Sequence, residues 1–221
     1  MEVVILAGGY GTRLRSVSND LPKCMVPVDD QPFLAGLIKK LVPKGTKITL
    51  AVSYKRECIL SYFGNRFHDC EISYSVEKKP LGTGGAIKQA LLQCTEGNIV
   101  VLNGDSLLDF KIKNLLAKHE ETKADISIAL TKMVKPYRYG TVKIENNRII
   151  SFNEKKDIPE GIINCGIYCL NRNILKNEDE FFSFEKYLEK NLKKNITLGH
   201  LYNGYFIDIG IPEDYSKAIK D

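Results

Sequence analysis

Apolar and polar positions alternate with two different periods along the first half of the chain. Four short runs have the composition and length of β-strands, at residues 3–6, 48–53, 71–76 and 98–102. Stretches with apolar positions three or four residues apart lie between and after them and predict helices, at residues 32–41, 55–67 (with an end near Gly64), 85–94 and 113–121. Such alternation is typical of an α/β fold, in which helices cover both faces of a parallel sheet.

The second half of the chain has more strand patterns and fewer helical ones. Strands are predicted at residues 126–131, 141–144, 148–153, 162–170 and within 196–208. Asn146 and Asn147 predict a hairpin turn, and helices are expected at residues 183–192 and from Pro212 onward. We therefore expect one domain over residues 1–221, with a mixed, mostly parallel sheet and a small β-rich lobe, divided near residue 125.

Composition excludes several classes of function. The formal net charge is only +5, and the lysines form no dense basic run, which disfavours nucleic acid as a partner. No apolar run is long enough to cross a membrane, and nothing before the first strand has the form of a signal peptide. None of the six cysteines forms a C-x-x-C pair, so we expect reduced thiols in a cytoplasmic protein.

The first strand runs into a glycine-rich loop that ends in an arginine. Gly8, Gly9 and Gly11 would let backbone N–H groups approach an anion, and Arg13 would add a permanent positive charge. The loop matches neither the P-loop, which needs a Lys-Ser or Lys-Thr pair, nor the G-x-G-x-x-G dinucleotide motif. A phosphate-binding loop and a tight turn with an exposed arginine both remain open from these residues alone.

Four further loops carry groups that suit a nucleotide and a metal ion. Lys23 lies between two prolines, whose restricted backbone would aim it at the first loop. Glu77, before a second glycine-rich loop, could accept hydrogen bonds from a nucleobase. Asp105 and Asp208 each follow a predicted strand, where a carboxylate could hold Mg²⁺ or cap a helix.

Another set of polar residues lies in the strand-rich half of the chain. Glu154 and Asn164 suit sugar hydroxyls, and Lys155 suits a phosphate. Considered alone, Glu154 and Lys155 could equally form a surface ion pair.

Taken in order, these motifs resemble those of the sugar-1-phosphate nucleotidyltransferases. The matching stretches run through nearly the whole chain: GGYGTRL at 8–14, PKCMVPV at 22–28, LGTGGA at 81–86, GD at 104–105, EK at 154–155, NCG at 164–166 and DIGIP at 208–212. The resemblance implies a Rossmann-like nucleotidyltransferase fold. It also implies transfer of a nucleotidyl group from a nucleoside triphosphate to a sugar 1-phosphate, with release of pyrophosphate.

The resemblance also implies roles for individual residues. Arg13 and Lys23 would be catalytic, and Asp105 and Asp208 would hold Mg²⁺ as the cofactor. Nucleotide contacts would come from the first half of the chain, at Leu6, Ala7, Gly8, Gly9, Gly11, Thr12, Glu77, Gly82 and Thr83. Sugar-phosphate contacts would come mainly from the second half, at Asn103, Gly140, Glu154, Lys155 and Asn164.

Within this family, residues 19–34 (NDLPKCMVPVDDQPFL) and the short chain resemble the members that use GTP and D-glycero-α-D-manno-heptose 1-phosphate. A hexose 1-phosphate with GTP, UTP, CTP or dTTP remains an alternative pair of substrates. A regulatory protein that binds a nucleotide sugar without catalysis is an alternative of another class. The sequence leaves the oligomeric state, including a homodimer, open.

Overall fold

The computed structural model describes residues 1–9, 21–155 and 157–218. Its strands are β1 (Glu2–Leu6), β2 (Pro27–Val28), β3 (Gln31–Pro32), β4 (Lys47–Val52), β5 (Arg66–Phe67), β6 (Cys70–Val76), β7 (Asn98–Asn103), β8 (Ser106–Leu108), β9 (Ile126–Val134), β10 (Thr141–Glu145), β11 (Arg148–Asn153), β12 (Glu160–Asn171), β13 (Thr197–Leu201) and β14 (Phe206–Asp208). Its α-helices are α1 (Phe33–Leu41), α2 (Arg56–Phe63), α3 (Gly82–Leu91), α4 (Ile112–Thr122), α5 (Phe184–Asn191) and α6 (Pro212–Ala218).

Ten of these strands form one sheet, in the order β10-β11-β13-β9-β12-β7-β1-β4-β6-β5. Parallel pairing joins β7, β1, β4 and β6, as the alternation of strands and helices predicts. Among the described strands of the second half, only β9 and β13 pair in parallel, and the long strand β12 runs antiparallel to both β7 and β9. The expectation of a mostly parallel sheet is therefore confirmed for the first half of the chain and is wrong for the second half. The strands of the second half belong to the same sheet as those of the first.

Helices cover both faces of the sheet, and the core consists of one apolar layer on each side. Along β1, Val3 and Ile5 pack in one layer with α1, α2 and α4, whereas Val4 packs in the other with α3 and α5. Such strands are buried on both faces, which explains why their sequences are nearly continuous apolar runs. All six cysteines are free thiols.

Glycines lie at one helix boundary that was predicted and at one that was not. Helix α2 ends at Phe63, next to Gly64 with its positive φ of 55°, as predicted, whereas α3 begins at Gly82, three residues before the predicted start. Asn146 and Asn147 form the predicted hairpin turn, with φ of 49° and 64°. The short strands β2, β3, β5 and β8 have too few residues to show a period in the sequence. No described helix is both long and apolar enough to span a bilayer.

Candidate active site

A lysine and two aspartates from three distant parts of the chain meet at one edge of the sheet. Lys23 Nζ lies 2.5 Å from Asp105 Oδ2 and 3.4 Å from Asp208 Oδ1. All three side chains are largely shielded from solvent, with exposed fractions of 17%, 32% and 23%. The predicted catalytic lysine and the predicted metal ligands therefore occupy one site.

Backbone contacts hold the two aspartates side by side. Asp105 follows β7, and the preceding Gly104 N–H donates to the carbonyl of Leu6 at 2.9 Å. A Cβ on Gly104 would lie 2.5 Å from the same carbonyl oxygen, so this close approach requires glycine. Strand β14 pairs with β8, which places Asp208 opposite Ser106, and the N–H of Ile209 donates to the carbonyl of Asp105. The sequence could not predict this small β8–β14 sheet from such short strands.

Lys23 reaches this site from a short helical turn. The prolines at positions 22 and 27 were expected to hold an extended segment, but Lys23–Met25 forms one turn of 3-10 helix. Pro22 itself is extended, with φ of −56° and ψ of 143°. The expectation that this segment directs Lys23 toward the first loop is nevertheless met, since Lys23 lines a cavity together with residues 6–9.

Electrostatics at this site depend on the balance between burial and charge. Burial raises the pKa of Asp208, and the nearby Asp105 carboxylate raises it further, whereas Lys23 acts in the opposite direction. Asp208 also accepts a hydrogen bond from the N–H of Gly210 at 2.6 Å. The site is thus built to hold a cation between two carboxylates, and the lysine ammonium lies there in this structure.

The first cavity at the site contains most of the residues predicted to bind the nucleotide. It has a volume of about 170 Å³ and is lined by Leu6, Ala7, Gly8, Gly9, Lys23, Cys24, Thr83, Asn103, Gly104 and Asp105. Three other predicted residues, Gly11, Thr12 and Arg13, lie outside the described part of the chain.

Glu77 lies beside the first loop, in a position that fixes its carboxylate. A Cβ built on Gly8 would lie 2.9 Å from Glu77 Oε1, while Glu77 Oε2 accepts a hydrogen bond from the N–H of Leu81 at 3.1 Å. Burial raises the pKa of Glu77, and the Leu81 hydrogen bond lowers it. Gly82 follows at the start of α3, where the space that a Cβ would need is taken by the carbonyl of Phe182.

A second cavity contains all five residues predicted to bind the sugar phosphate. It has a volume of about 300 Å³, and Asn103, Gly140, Glu154, Lys155 and Asn164 line it together with Asp208. Asn103 lines both cavities, and the Lys23–Asp105–Asp208 cluster contributes to the walls of both. The two cavities therefore adjoin at the cluster of charged side chains.

A break in strand β12 orients Asn164. The pairing of β12 with β9 shifts register between Asn164 and Tyr168, where Gly166 has a φ of 71°. Asn164 Oδ1 accepts from the N–H of Gly166, and Asn164 Nδ2 donates to the Tyr168 hydroxyl at 2.9 Å. Both ends of this amide are held, so its orientation in the cavity is defined before any ligand binds.

Two carboxylates of the second cavity were missed by the sequence reasoning. Glu185 and Glu189 lie on α5 and line the cavity. Their spacing of four residues places them on one face of a helix, but the sequence could only assign that face to solvent. The position of α5 relative to β12 was needed to find them.

Comparison with known proteins identifies the class to which this arrangement belongs. A family model for nucleotidyl transferases matches residues 2–221. The chain belongs to the nucleotidyl transferase family.

Individual relatives show which members of the family this chain is similar to. The chain is 46% identical over 225 residues to the D-glycero-α-D-manno-heptose 1-phosphate guanylyltransferase of Aneurinibacillus thermoaerophilus, covering 100% of this chain and 98% of the relative. The enzyme of the same name from Campylobacter jejuni is 46% identical over 219 residues, covering 97% of both chains. The crystal structure of HddC from Yersinia pseudotuberculosis superposes with a TM-score of 0.87 at 37% identity, covering 99% of this chain and 98% of that chain. HddC has also been solved complexed with GMP-PN.

Proposed function

We propose that this protein transfers a guanylyl group from GTP to D-glycero-α-D-manno-heptose 1-phosphate and releases pyrophosphate. The observation that carries the proposal is the pair of adjoining cavities that meet at Lys23, Asp105 and Asp208. One cavity would hold the nucleotide and the other the sugar phosphate, so that the two phosphates meet at the charged cluster. Identity of 46% over the whole chain to two heptose 1-phosphate guanylyltransferases supports this pair of substrates.

The proposed roles follow the division of the chain. Residues from about 1 to 125 would bind the nucleotide and residues from about 126 to 221 most of the sugar phosphate, within a single domain. The nucleotide residues are Leu6, Ala7, Gly8, Gly9, Gly11, Thr12, Glu77 and Gly82. Thr83 lines the same cavity, but its hydroxyl is bonded to Glu185 and to the N–H of Phe184, so its side chain is not assigned to the nucleotide. The sugar-phosphate residues are Asn103, Gly140, Glu154, Lys155 and Asn164, and the catalytic cations are Arg13 and Lys23.

Guanine is the base that suits Glu77 best. The Watson–Crick edge of guanine has two adjacent donors, N1–H and the N2 amino group, and an ionised carboxylate has two acceptor oxygens and no donor. Glu77 Oε2 is held by Leu81, and Oε1 faces Gly8 in the first loop. A carboxylate fixed in this way favours guanine over bases that present an acceptor on the same edge.

The chemistry needs charge neutralisation more than proton transfer. A phosphate monoester has a second pKa near 6, so the sugar phosphate is mostly a dianion at neutral pH and can attack the α-phosphorus without a general base. Bringing two polyanions together is the harder problem. Lys23 would offset this repulsion and stabilise the charge that develops during transfer, and Lys155 would bind the sugar phosphate.

Asp105 and Asp208 fit the magnesium ion that the family implies. Among the described residues, no three or more His, Cys, Asp or Glu side chains cluster as a complete metal site. Two carboxylates are nevertheless sufficient, because Mg²⁺ is commonly held by one or two carboxylates together with substrate phosphates and water. When bound, the ion would neutralise phosphate charge and favour departure of pyrophosphate.

A substrate panel tests the proposal directly. The purified chain is incubated with GTP, ATP, UTP, CTP or dTTP and with heptose, mannose or glucose 1-phosphate, and pyrophosphate release is measured. GTP with the heptose 1-phosphate should give the highest kcat/KM. A preference for a hexose 1-phosphate or another nucleotide would keep the class and change the substrates, whereas no release from any pair would contradict the enzymatic function.

A further inference from the structure

One carboxylate joins the walls of the two cavities. Glu185 Oε2 accepts hydrogen bonds from Thr83 Oγ1 at 2.8 Å and from Ser183 Oγ at 2.7 Å. Thr83 lines the first cavity and Glu185 lines the second. A hydrogen bond between side chains 102 residues apart therefore connects the proposed nucleotide and sugar-phosphate sites.

The hydroxyl of Thr83 is already used within the protein. Its oxygen accepts a hydrogen bond from the N–H of Phe184 at 2.8 Å, and its hydrogen is donated to Glu185. A hydroxyl has only one hydrogen to donate, so Thr83 has no donor left for a nucleotide phosphate. Although Thr83 lines the nucleotide cavity, its hydroxyl therefore serves to hold Glu185.

Glu185 is held at one oxygen. Both hydrogen bonds that it makes with described residues involve Oε2. Ser183, one of the donors, is also the N-cap of α5, where its oxygen accepts from the N–H of Lys186. The carboxylate is therefore fixed to the first turns of both α3 and α5, and its orientation does not depend on a ligand.

The second cavity has the charge distribution that a sugar phosphate needs. Four carboxylates line it, those of Glu154, Glu185, Glu189 and Asp208, with a single lysine, Lys155, among the described residues. Carboxylates repel a phosphate but accept hydrogen bonds from hydroxyl groups, so the acidic residues suit the sugar ring and its side chain.

From these contacts, and resting on the proposed function, we propose that Glu185 binds a hydroxyl group of the sugar through Oε1 and that Thr83 positions it. Glu185 is then a sugar-binding residue, and Thr83 acts on the sugar from the nucleotide side. This assignment predicts that a substitution in the nucleotide cavity impairs binding of the other substrate.

Steady-state kinetics of single and double variants test this inference. Glu185→Ala should raise the KM for the sugar 1-phosphate on the order of tenfold or more, because a charge-assisted hydrogen bond is lost. Thr83→Val, which removes only the hydroxyl, should raise the same KM while the KM for GTP stays within about twofold. The double variant should be no worse than Glu185→Ala, because both changes remove the same interaction.

Glu180→Ala is the matched control. Glu180 is a nearby exposed glutamate that pairs with Lys79 at 2.9 Å and lines neither cavity. Its replacement should leave both KM values unchanged. Thermal unfolding of every variant is measured alongside, and if Glu185→Ala does not fold, Glu185→Gln takes its place. The amide has nearly the same shape but only one acceptor oxygen, so the KM for the sugar 1-phosphate should still rise.

Two results would overturn the inference. One is an unchanged KM for the sugar 1-phosphate in a folded Glu185 variant. The other is a Thr83→Val variant whose KM rises for GTP instead of the sugar 1-phosphate. If the unaltered chain releases pyrophosphate, either result contradicts only the assignment of Glu185 and Thr83. If the unaltered chain releases no pyrophosphate, the proposed function itself is contradicted.

Discussion

Each side chain of the Lys23–Asp105–Asp208 cluster changes the electrostatic environment of the other two. Lys23 lies between Asp105 and Asp208, so its ammonium would attract phosphate and also opposes the rise in the pKa of Asp208 that burial causes. Removing one partner from a partly buried group of charges costs more than the isolated contact is worth, because the remaining charges are left unpaired. We therefore expect substitutions at this cluster to affect catalysis and electrostatics together.

Replacing Lys23 with alanine should lower kcat by about 10²-fold or more, since a preorganised cation at the transferring phosphate is lost. Single-turnover measurement of pyrophosphate release checks this expectation. Lys40→Ala is the control, because Lys40 forms an ordinary exposed ion pair with Asp109 at 3.0 Å. Near-normal turnover in a folded Lys23→Ala variant would rule out the catalytic role.

Glu77→Gln should weaken the preference for GTP. The amide replaces one of two acceptor oxygens with a donor, which opposes the donor edge of guanine. We expect kcat/KM for GTP to fall by about 10²-fold, as when a buried polar group of a specific site loses its partner. Glu71→Gln, an exposed position on β6, provides the comparison. Equal losses for GTP and UTP would show that Glu77 does not recognise the base.

At the scale of whole elements, the glycine-rich start of α3 has a packing role that its sequence does not reveal. The resemblance to the sugar-1-phosphate nucleotidyltransferases implies that Gly82 and Thr83 in this stretch contact the nucleotide. In the structure, the segment before α5 packs against this stretch: Phe182 N–H donates to Leu81, and the Phe182 carbonyl accepts from Gly84. A Cβ on Gly84 would lie 2.2 Å from the Phe182 ring. The glycines therefore let two parts of the chain pack closely together.

Gly84→Ala should consequently destabilise the fold by about 1–3 kcal/mol through overpacking. Urea unfolding measures the change. Gly97→Ala is the control, because no atom lies within 4 Å of a Cβ built at that position. In the double variant Gly84→Ala/Phe182→Ala, the aromatic ring that the new Cβ would contact is absent. Gly84→Ala should therefore destabilise the Phe182→Ala background less than it destabilises the unaltered chain. A Gly84→Ala variant as stable as Gly97→Ala would show that this contact relaxes freely.

For the whole molecule, local patterns predict which elements form, and contacts between distant residues decide where the site lies. The periods of the apolar runs identify β1, β4, β6 and β7, because strands buried on both faces have nearly continuous apolar sequences. They do not identify β8, and they predict strand within residues 196–208 without separating β14, because each of these two strands has only three residues. Those short strands set the position of Asp208, so its distance from Asp105 could not be predicted from local patterns.

The sequence predicts a candidate site residue only when that residue belongs to a recognisable motif. Glu154, Lys155 and Asn164 belong to recognisable motifs and line one cavity. Glu185 has no such signal, since its contact with Thr83 depends on how α5 packs against α3. Sequence patterns report helix faces, but which of two polar faces meets a cavity depends on tertiary packing.

Acid stability of the whole molecule should depend on a histidine that lines neither cavity. His119 on α4 is 2% exposed and shares a hydrogen bond of 3.0 Å between Nδ1 and Ser127 Oγ. Burial and, to a smaller extent, the neighbouring His200 together lower its pKa from 6.5 to about 4, while Asp125 acts in the opposite direction. The unfolded chain therefore binds a proton at this imidazole below pH 6.5, whereas the folded chain does not until about pH 4.

Stability from this group is fully present above pH 6.5 and declines as the pH falls toward 4. At pH 5 the loss should be about 2 kcal/mol relative to neutral pH. In His119→Gln, which has no titrating group at this position, the free energy of unfolding should fall less between pH 7 and pH 5. Urea denaturation at the two pH values gives the comparison, because any loss of packing in the variant applies at both. An identical fall in the variant and the parent chain would show that His119 does not govern acid stability.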